Sequence, residues 1–379
     1  MEGPRACEKE ERREVISLIN KTFRAANGYK PTMDEEFQLM LGDGNLDNMR
    51  IILQDGAPVA NVNFYKSTIL VEGIPVKAAS VGAVCTDESS RGKGYSSILL
   101  DDCERLMRKD NIRLMLVSGT RSLYLRRGCT IVGKCYQFII EPLEESHKNL
   151  QLQEYDDSLL EIMTKLYNKE STRYYRTFDE FKYLLKGATT PWANLTYKVY
   201  AVKDSEDYCG YIVLRVVNDK EGSWGSVVEA AGDRQTISKA LEEAIRLSSL
   251  KYIQYFCTFN DESARVLKKE KKSFSEWNLL GTVKILDFQG LMEDLMPYFE
   301  QYADKDSMEN ISFSENDGRY IFNLNNETLE IDNIQNLTKL IFGSKEDIVR
   351  EFTAKPLISE FISKVFPLPF VWTANLNYQ

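Results

Sequence analysis

A strand-like run, a glycine-rich basic loop and an amphipathic helix succeed one another between Val81 and Met107, and this succession constrains the fold more than any other feature of the chain. The loop reads "TDESSRGKGYSS" and is followed by "ILLDDCERLM", whose apolar residues recur at helical spacing. Loop N–H groups and the positive end of a helix dipole together bind phosphate. The residues of the expected phosphate site are Arg91, Gly92, Lys93, Gly94, Tyr95 and Ser96.

A loop of this kind is compatible with three kinds of ligand. A Walker-type nucleotide site requires a different spacing, because Asp87 and Gly94 stand at its first and last diagnostic positions. A dinucleotide site requires a third glycine where the chain has Ser97, and it requires parallel strands that the neighbouring sequence does not predict. The pyrophosphate of coenzyme A is the third candidate, and the one that the spacing leaves.

The flanking sequence predicts an α+β fold for the first unit. Helical spacing covers residues 8–23 and 31–41, and strands are predicted at 49–54, 58–73 and 75–86 with turns between them. After the loop and its helix come a buried strand at 112–119, a short helix at 121–127 and a strand at 129–140. A similar order returns more weakly in residues 143–284, and residues 285–379 predict a third, smaller α+β unit. We therefore expect domains at 1–142, 143–284 and 285–379.

Composition excludes several classes of protein. The formal net charge of −9 disfavours binding to nucleic acid, and no apolar run is long enough to span a membrane. The seven cysteines are scattered without CxxC spacing, and the single histidine, His147, lies in a polar linker. Histidine-dependent triads and metal sites are therefore not expected. The charged N-terminus does not predict a signal peptide, so we expect a cytoplasmic protein with no metal and no membrane partner.

Two motifs are similar to those of a known family. Arg91, Gly94 and Ser96 resemble the acyl-CoA loop (Gln/Arg-x-x-Gly-x-Gly/Ala) of the GNAT N-acetyltransferases, with Ser96 replacing the usual glycine or alanine. "LYLRRGC" resembles the family's Tyr-x-x-x-Gly-Phe segment, with Tyr124 and Gly128 in the matching places and Cys129 replacing the aromatic residue. The resemblance covers residues 1 to about 140. It implies a GNAT fold, a mixed and mostly antiparallel sheet flanked by helices, with acetyl-CoA as co-substrate.

The layout of the whole chain resembles the Eis-like (enhanced intracellular survival) acetyltransferases. These have a second, degenerate GNAT-like unit, here with "AAGDRQT" at the loop position, and a C-terminal domain similar to sterol carrier proteins, here "ILDFQGLMEDLMPYF" and "LTKLIFG". The apolar tail "FPLPFVW" is similar to the family's tail and is expected to be packed rather than free. The resemblance implies a small-molecule or peptide amine substrate of cationic type (aminoglycoside, polyamine or lysine) and a homo-oligomer.

Roles for individual residues follow from the same resemblance. Backbone groups of Val84, Cys85 and Thr86 would pair with the pantetheine arm, and Tyr124 would protonate the departing thiolate, since a phenol and a thiol have similar pKa values. The terminal carboxylate of Gln379 would act as the base. Asp87 and Glu88 are further base candidates, although their position favours shaping the loop.

Two cysteines near the predicted thioester position, Cys85 and Cys129, suggest an acyl-enzyme, but a packing role is favoured for both. The sequence leaves two alternatives to an enzyme. One is a non-catalytic sensor that binds acyl-CoA or lipid. The other is an interaction scaffold whose loop binds nothing.

Overall fold

The computed structural model describes residues 1–143, 147, 149–343 and 355–377. The strands are β1 (Glu2–Ala6), β2 (Met49–Gln54), β3 (Ala57–Val71), β4 (Ile74–Thr86), β5 (Leu114–Val117), β6 (Lys134–Ile140), β7 (Leu150–Glu154), β8 (Arg173–Tyr174), β9 (Leu195–Asp204), β10 (Asp207–Asp219), β11 (Gly222–Gly232), β12 (Ile253–Thr258), β13 (Ser273–Asn278), β14 (Thr282–Ile285), β15 (Ile311–Asn316), β16 (Arg319–Leu324) and β17 (Glu327–Ile331). The helices are α1 (Arg12–Phe23), α2 (Met33–Glu36), α3 (Gln38–Leu41), α4 (Tyr95–Lys109), α5 (Ser122–Leu125), α6 (Leu160–Tyr167), α7 (Phe178–Ala188), α8 (Arg234–Leu247), α9 (Glu262–Lys269), α10 (Phe288–Asp294), α11 (Met296–Phe299), α12 (Lys305–Asn310), α13 (Ile334–Phe342) and α14 (Pro356–Val365).

The first sheet has seven strands, in the order β1-β2-β3-β4-β5-β14, with β8 paired to β3. Strands β1 to β4 are antiparallel neighbours, whereas β4 and β5 run parallel. The three strands predicted before the loop are confirmed, and so is the buried strand predicted after α4, which is β5. Strand β1 was not predicted, because its sequence "EGPRA" has no apolar alternation.

The second sheet also has seven strands, in the order β13-β6-β12-β11-β10-β9-β7. Its three antiparallel strands β9, β10 and β11 are followed by α8 and by β12, which runs parallel to β11. This order repeats β2, β3, β4, α4 and β5 of the first sheet. The two sheets therefore have the mixed, helix-flanked architecture that the sequence predicts, in tandem.

Each sheet contains strands from the other unit of the chain. The strand predicted at 129–140 as the last of the first unit is β6, which lies in the second sheet and pairs with β12 and β13. The short strand β8, which follows residue 142, pairs with β3 in the first sheet. In return β14 crosses to the first sheet and pairs antiparallel with β5. Periodicity identifies a strand but not its partner, so the prediction placed β6 wrongly. Because β6 precedes residue 142 but pairs in the second sheet, and β14 spans residue 284 but pairs in the first, the domain limits stay a prediction about sequence units.

Helix α4 lies on one face of the first sheet and fixes the position of the loop. Its buried side chains Leu99, Leu100, Cys103 and Met107 join one apolar cluster with β-strand residues such as Phe64. Each such side chain contributes about 1.5–3 kcal/mol when fully buried, so the helix N-terminus is held firmly against the end of β4.

The C-terminal part consists of the three-stranded sheet β15-β16-β17 and helices around an aromatic core. Phe288 and Phe322, for example, have ring centroids 5.3 Å apart. It is an α+β arrangement as predicted, and its similarity to sterol carrier proteins stays a prediction. The apolar tail is packed, as expected: Phe366 is 2% exposed, and the Trp372 ring stacks on Phe256 at 5.2 Å.

Candidate active site

The loop after β4 leads directly into the N-terminus of α4. Gly92 and Gly94 have φ values of 82° and 78°, in the left-handed region that glycine adopts without strain. Within the described residues, the N–H groups of 92–96 donate to no backbone carbonyl, whereas Ser97 and Ile98 donate to the Gly94 carbonyl. Free donors at a helix N-terminus suit a pyrophosphate group.

Asp87 shapes this loop and is a poor base. Its carboxylate accepts a hydrogen bond from Lys21 Nζ at 2.8 Å and from the Ser89 backbone at 3.1 Å. The Lys21 contact, followed by the Ser89 contacts, lowers the Asp87 pKa to about 2. A carboxylate with such a low pKa accepts a proton weakly. Glu88 is exposed and pairs with Arg91 at 3.3 Å.

The remaining loop side chains lie at its mouth. Lys93 Nζ is 3.3 Å from Gln54 Oε1 and 5.9 Å from the Tyr95 ring centroid, and it is exposed. The Ser96 hydroxyl is 2.8 Å from that of Thr86, which ties the first turn of α4 to the end of β4. The loop therefore combines a fixed backbone with cationic side chains that are free to reorient.

A β-bulge opens the end of β4 next to the loop. Cys85 lies opposite Asn61 on β3 and Gly82 lies opposite Asn63, so two residues of β4 face one residue of β3. Ala83, inside the bulge, has a φ of 49°. The parallel pairing of β4 with β5 ends at Val81 and Val117. Beyond this point the two strands separate, and the backbone of Val84, Cys85 and Thr86 lies along the opening.

Two buried asparagines behind the bulge were missed at the sequence level. Asn61 and Asn63 are both fully buried, and Asn61 donates to the Ala83 carbonyl at 3.0 Å. Neither side-chain polar atom of Asn63, nor the Asn61 oxygen, has a hydrogen-bond partner in the part of the chain that the structure describes. The feature that could have identified them is the presence of two amide side chains within the otherwise apolar strand segment "VANVNFY".

Tyr124 lies in the short helix α5, close to the end of β5. Its side chain is 7% exposed and belongs to the apolar cluster that contains Val81 and Val117. Gly119 makes room for the ring, because a Cβ there would lie 2.8 Å from Tyr124 Cε2. Within the described residues the hydroxyl has no hydrogen-bond partner. Burial raises the Tyr124 pKa, so the phenol keeps its proton at neutral pH.

The two nearby cysteines are poor nucleophiles. Burial raises the pKa of Cys85 to about 12 and that of Cys129 to about 11. The thiolate, which is the reactive form, is therefore scarce at neutral pH. This supports the packing role for both residues rather than an acyl-enzyme.

A pocket between the two sheets reaches the opening of β4 and β5. We call it the inter-unit pocket; its volume is about 430 Å³. Ala83 of the bulge and Ser118, just after β5, form one side of it. The other sides are formed by residues of α1, α2, α3, α7, β9, β10, β11 and the tail, including Arg24, Glu36, Trp192, Tyr197, Arg215, Ala374 and Leu376.

The chain's tail runs into this region. Thr373 Oγ1 donates to the Leu280 carbonyl at 2.7 Å, and the buried Asn377 accepts a hydrogen bond from Arg176 Nε at 2.6 Å. Arg176 is itself held by a two-point ion pair with Glu229 at 2.7–2.8 Å. The predicted base belongs to Gln379, which lies outside the described residues.

The corresponding cleft of the second sheet differs from that of the first. Strands β11 and β12 pair only at 225–226 with 253–254 and then separate around a cavity of about 670 Å³. Asp233 caps α8, accepting from the Thr236 N–H at 2.8 Å, so a carboxylate occupies the helix N-terminus. Arg234 pairs with Glu170 and Asp261. Residues 369–372 of the tail line the cleft.

In residues 1–143, 147, 149–343 and 355–377, no group of three or more His, Cys, Asp or Glu side chains could hold a metal ion. Within the same ranges, no helix combines the length and apolarity needed to cross a membrane.

Comparison with known proteins gives a domain family and a fold. Residues 4–132 match the family model described as an acetyltransferase (GNAT) domain. A comparison with curated protein sequences gave no match.

Several solved structures share the fold over nearly the whole chain. A protein from Enterococcus faecalis, described as a probable N-acyltransferase, has a TM-score of 0.68 and 15% identity, over 97% of this chain and 96% of its own. A GCN5-related N-acetyltransferase from Anabaena variabilis has a TM-score of 0.66 and 14% identity, over 99% and 95%. Eis1 from Mycobacterium abscessus has a TM-score of 0.63 and 13% identity, over 97% and 96%. Residues 4–132 thus match the model of a GNAT acetyltransferase domain, and the chain shares its fold with these proteins over 97–99% of its length.

Proposed function

We propose that the protein transfers an acetyl group from acetyl-CoA directly to a primary amine. The observation that carries this proposal is the opening between β4 and β5, with the bulge at Ala83 on one side and Tyr124 close to the other. The free N–H groups of residues 92–96 lie at its entrance. A phosphate anchor, a slot and a neutral acid are thus arranged along one path.

The residues along this path fit acetyl-CoA, which supplies an activated acyl thioester when bound. The loop from Arg91 to Ser96 would hold the pyrophosphate through N–H groups and two cations. The backbone of Val84, Cys85 and Thr86 would pair with the pantetheine amides, since β5 has no residues opposite them. Anchoring at the loop fixes the distance at which the acyl group meets the amine, which is a positioning effect.

Tyr124 supplies the proton in the proposed reaction. Its raised pKa keeps it protonated, and its hydroxyl is not used in the structure of the described chain. The amine must lose a proton as it attacks, and we assign that step to the terminal carboxylate of Gln379. The course of the tail supports the assignment, because Leu376 lines the inter-unit pocket. Direct transfer is favoured over an acyl-enzyme by the raised pKa values of Cys85 and Cys129.

The acceptor is a small-molecule or peptide amine, and the sequence resemblance favours an aminoglycoside, a polyamine or a lysine-type amine. We retain the three sequence units 1–142, 143–284 and 285–379 as part of the proposal. The first carries the acetyl-CoA site, and the second contributes walls of the acceptor pocket.

An amine panel with acetyl-CoA tests the proposal. We expect release of free coenzyme A together with an acetylated product detected by mass spectrometry. Calorimetric titration with acetyl-CoA runs in parallel. Binding without turnover on any amine would favour the acyl-CoA sensor, and absence of binding would refute both and favour the scaffold.

Removal of Tyr378 and Gln379 tests the base. We expect kcat to fall at least tenfold while acetyl-CoA affinity is kept, because the loop is remote from the tail. The truncated chain ends in a carboxylate two residues earlier, and a matched variant with one additional C-terminal alanine ends in one a residue later. Both variants displace the group, so the second should show a similar loss. Full activity in the truncated protein would remove the terminal carboxylate from the mechanism.

A further inference from the structure

Among the described residues, the inter-unit pocket holds one positive charge that no carboxylate neutralises. The terminal carboxylate of Gln379, assigned above as the base for the amine, lies outside the described residues and is not counted here. Its lining residues include three charged side chains, Arg24, Glu36 and Arg215. Because the pocket reaches Ala83 and Ser118 at the opening of β4 and β5, an amine bound there meets the thioester position of the proposed function. The charges of the pocket therefore select the acceptor.

Arg24 and Glu36 neutralise one another. Arg24 Nη2 is 2.6 Å from both carboxylate oxygens of Glu36, and Arg24 Nε is 2.9 Å from Oε1. The Thr32 hydroxyl also donates to Oε1, at 2.6 Å. The two charged side chains are 9% and 8% exposed. Glu36 has therefore little capacity left for a cationic ligand.

Arg215 has no such partner. It lies on β10, opposite Tyr197 of β9, in the apolar run "YIVLRVV". Among the described residues its guanidinium forms no ion pair, and its Nε is buried without a hydrogen-bond partner. Its polar neighbour is the Tyr197 hydroxyl: burial raises the Tyr197 pKa, and the nearby Arg215 charge opposes that rise. A buried charged donor without an acceptor is costly, so a site of this kind calls for an anionic ligand group.

We propose that the acceptor amine carries a carboxylate and that Arg215 binds this carboxylate; the proposal rests on the proposed acetyl transfer. A guanidinium matches a carboxylate in charge and in two-point geometry. A phosphate monoester, with about −1.5 to −2 charge, would exceed the single unpaired cation.

The remaining walls are largely apolar or aromatic, with Phe23, Phe37 and Met40 among them. An amino acid with an apolar side chain fits these walls better than a polycation does. Among the acceptors suggested by the sequence, free lysine keeps the required carboxylate, whereas a polyamine lacks it.

Matched acids and amides test the proposal. The panel is phenylalanine, leucine and lysine, each compared with its carboxamide, with spermidine as the polycation. Since amidation lowers the pKa of the neighbouring amine, kcat/KM is compared after correction to the unprotonated amine. We expect the acids to exceed their amides at least tenfold in kcat/KM. Equal values for acid and amide would overturn the proposal.

The variant Arg215→Met identifies the residue responsible. We expect it to abolish the preference for acid over amide, mainly through KM for the acid, while the amide is little affected. Arg215→Lys keeps the positive charge but not the two-point geometry of the guanidinium, so it should retain an intermediate preference for acid over amide. Circular dichroism checks that both variants are folded. Arg265→Met, an exposed arginine on α9, is the control and should keep the full preference. Equal slowing of acid and amide in Arg215→Met would show a structural role and overturn the proposal.

A binding measurement separates this inference from the proposed function. Calorimetry of phenylalanine and phenylalaninamide with the coenzyme A-saturated protein requires no turnover. We expect the acid to bind at least tenfold more tightly, and Arg215→Met to remove the difference. If no amine is acetylated but this difference is present, the proposed function fails and the carboxylate site stands. If neither compound binds, or both bind equally, the carboxylate site is refuted.

Discussion

Replacing Tyr124 with phenylalanine separates the chemical role of its hydroxyl from the structural role of its ring. The ring packs against Gly119 and the cluster around Val81 and Val117, and phenylalanine preserves these contacts. The hydroxyl has no hydrogen-bond partner among the described residues, so its removal breaks no bond within the protein. We therefore expect the free energy of unfolding to change by no more than about 0.5 kcal/mol.

The effect on turnover should be much larger. Removing a positioned general acid typically lowers the rate by about 10²–10⁴-fold, which corresponds to about 3–5 kcal/mol of transition-state stabilisation. Acetyl-CoA affinity should be unchanged, because Tyr124 is not part of the loop that we propose binds the pyrophosphate. The loss should appear in kcat rather than in KM.

Tyr298→Phe is the matched control because its expected pattern is the reverse. The Tyr298 hydroxyl is buried and donates to the Val365 carbonyl at 3.1 Å, in the C-terminal part of the chain. Its loss should cost about 1 kcal/mol of stability and leave kcat unchanged. Urea unfolding, calorimetry with acetyl-CoA and steady-state coenzyme A release give the three quantities for both variants. A Tyr124→Phe enzyme with a normal kcat would refute the assignment of Tyr124 as the acid.

Three further predictions follow from individual residues. Burial raises the Tyr124 pKa, so the phenol stays protonated at higher pH than usual. We therefore expect kcat to rise as the amine loses its proton and not to fall again below about pH 10. A decrease in kcat near pH 8 would show that another group is the acid. Gly94→Ala and Gly73→Ala both place a methyl group at positive φ in open space and should each lose about 1 kcal/mol of stability, but only Gly94→Ala should weaken acetyl-CoA binding in calorimetry. Glu229→Gln leaves the buried guanidinium of Arg176 without its ion pair. The free energy of unfolding measured in urea should fall by about 3–5 kcal/mol. In the control Glu161→Gln, which breaks an exposed pair, the unfolding midpoint should be unchanged.

The part of the site that the sequence predicts is the part built from consecutive residues. The loop, its helix and the following strand are specified by short-range signals, namely two glycines at positive φ and an apolar stripe. Tyr124 follows within the same unit. These residues come close in space because they are close in the chain.

The acceptor side could not be predicted in this way. Arg24, Arg215 and Leu376 meet in one pocket although more than 150 residues separate each from the next along the chain. In the sequence, such a residue differs only from its immediate neighbours, as Arg215 does within the apolar run of β10. Strand pairing sets which residues meet, and the exchange of β6 and β14 shows that this pairing does not follow chain order.

The second unit holds the C-terminal tail, and this does not require it to bind a second cofactor. Its helix α8 is capped by Asp233, whose carboxylate stands where the first unit offers free N–H groups, so a phosphate would meet a negative charge there. The separation of β11 and β12, which in the first unit forms the proposed slot, is instead lined by tail residues 369–372. The tail continues from this cleft to Asn377, which Arg176 of the second unit binds. The cleft of the second sheet, whose helix N-terminus carries a carboxylate, thus holds the segment that ends in the proposed base.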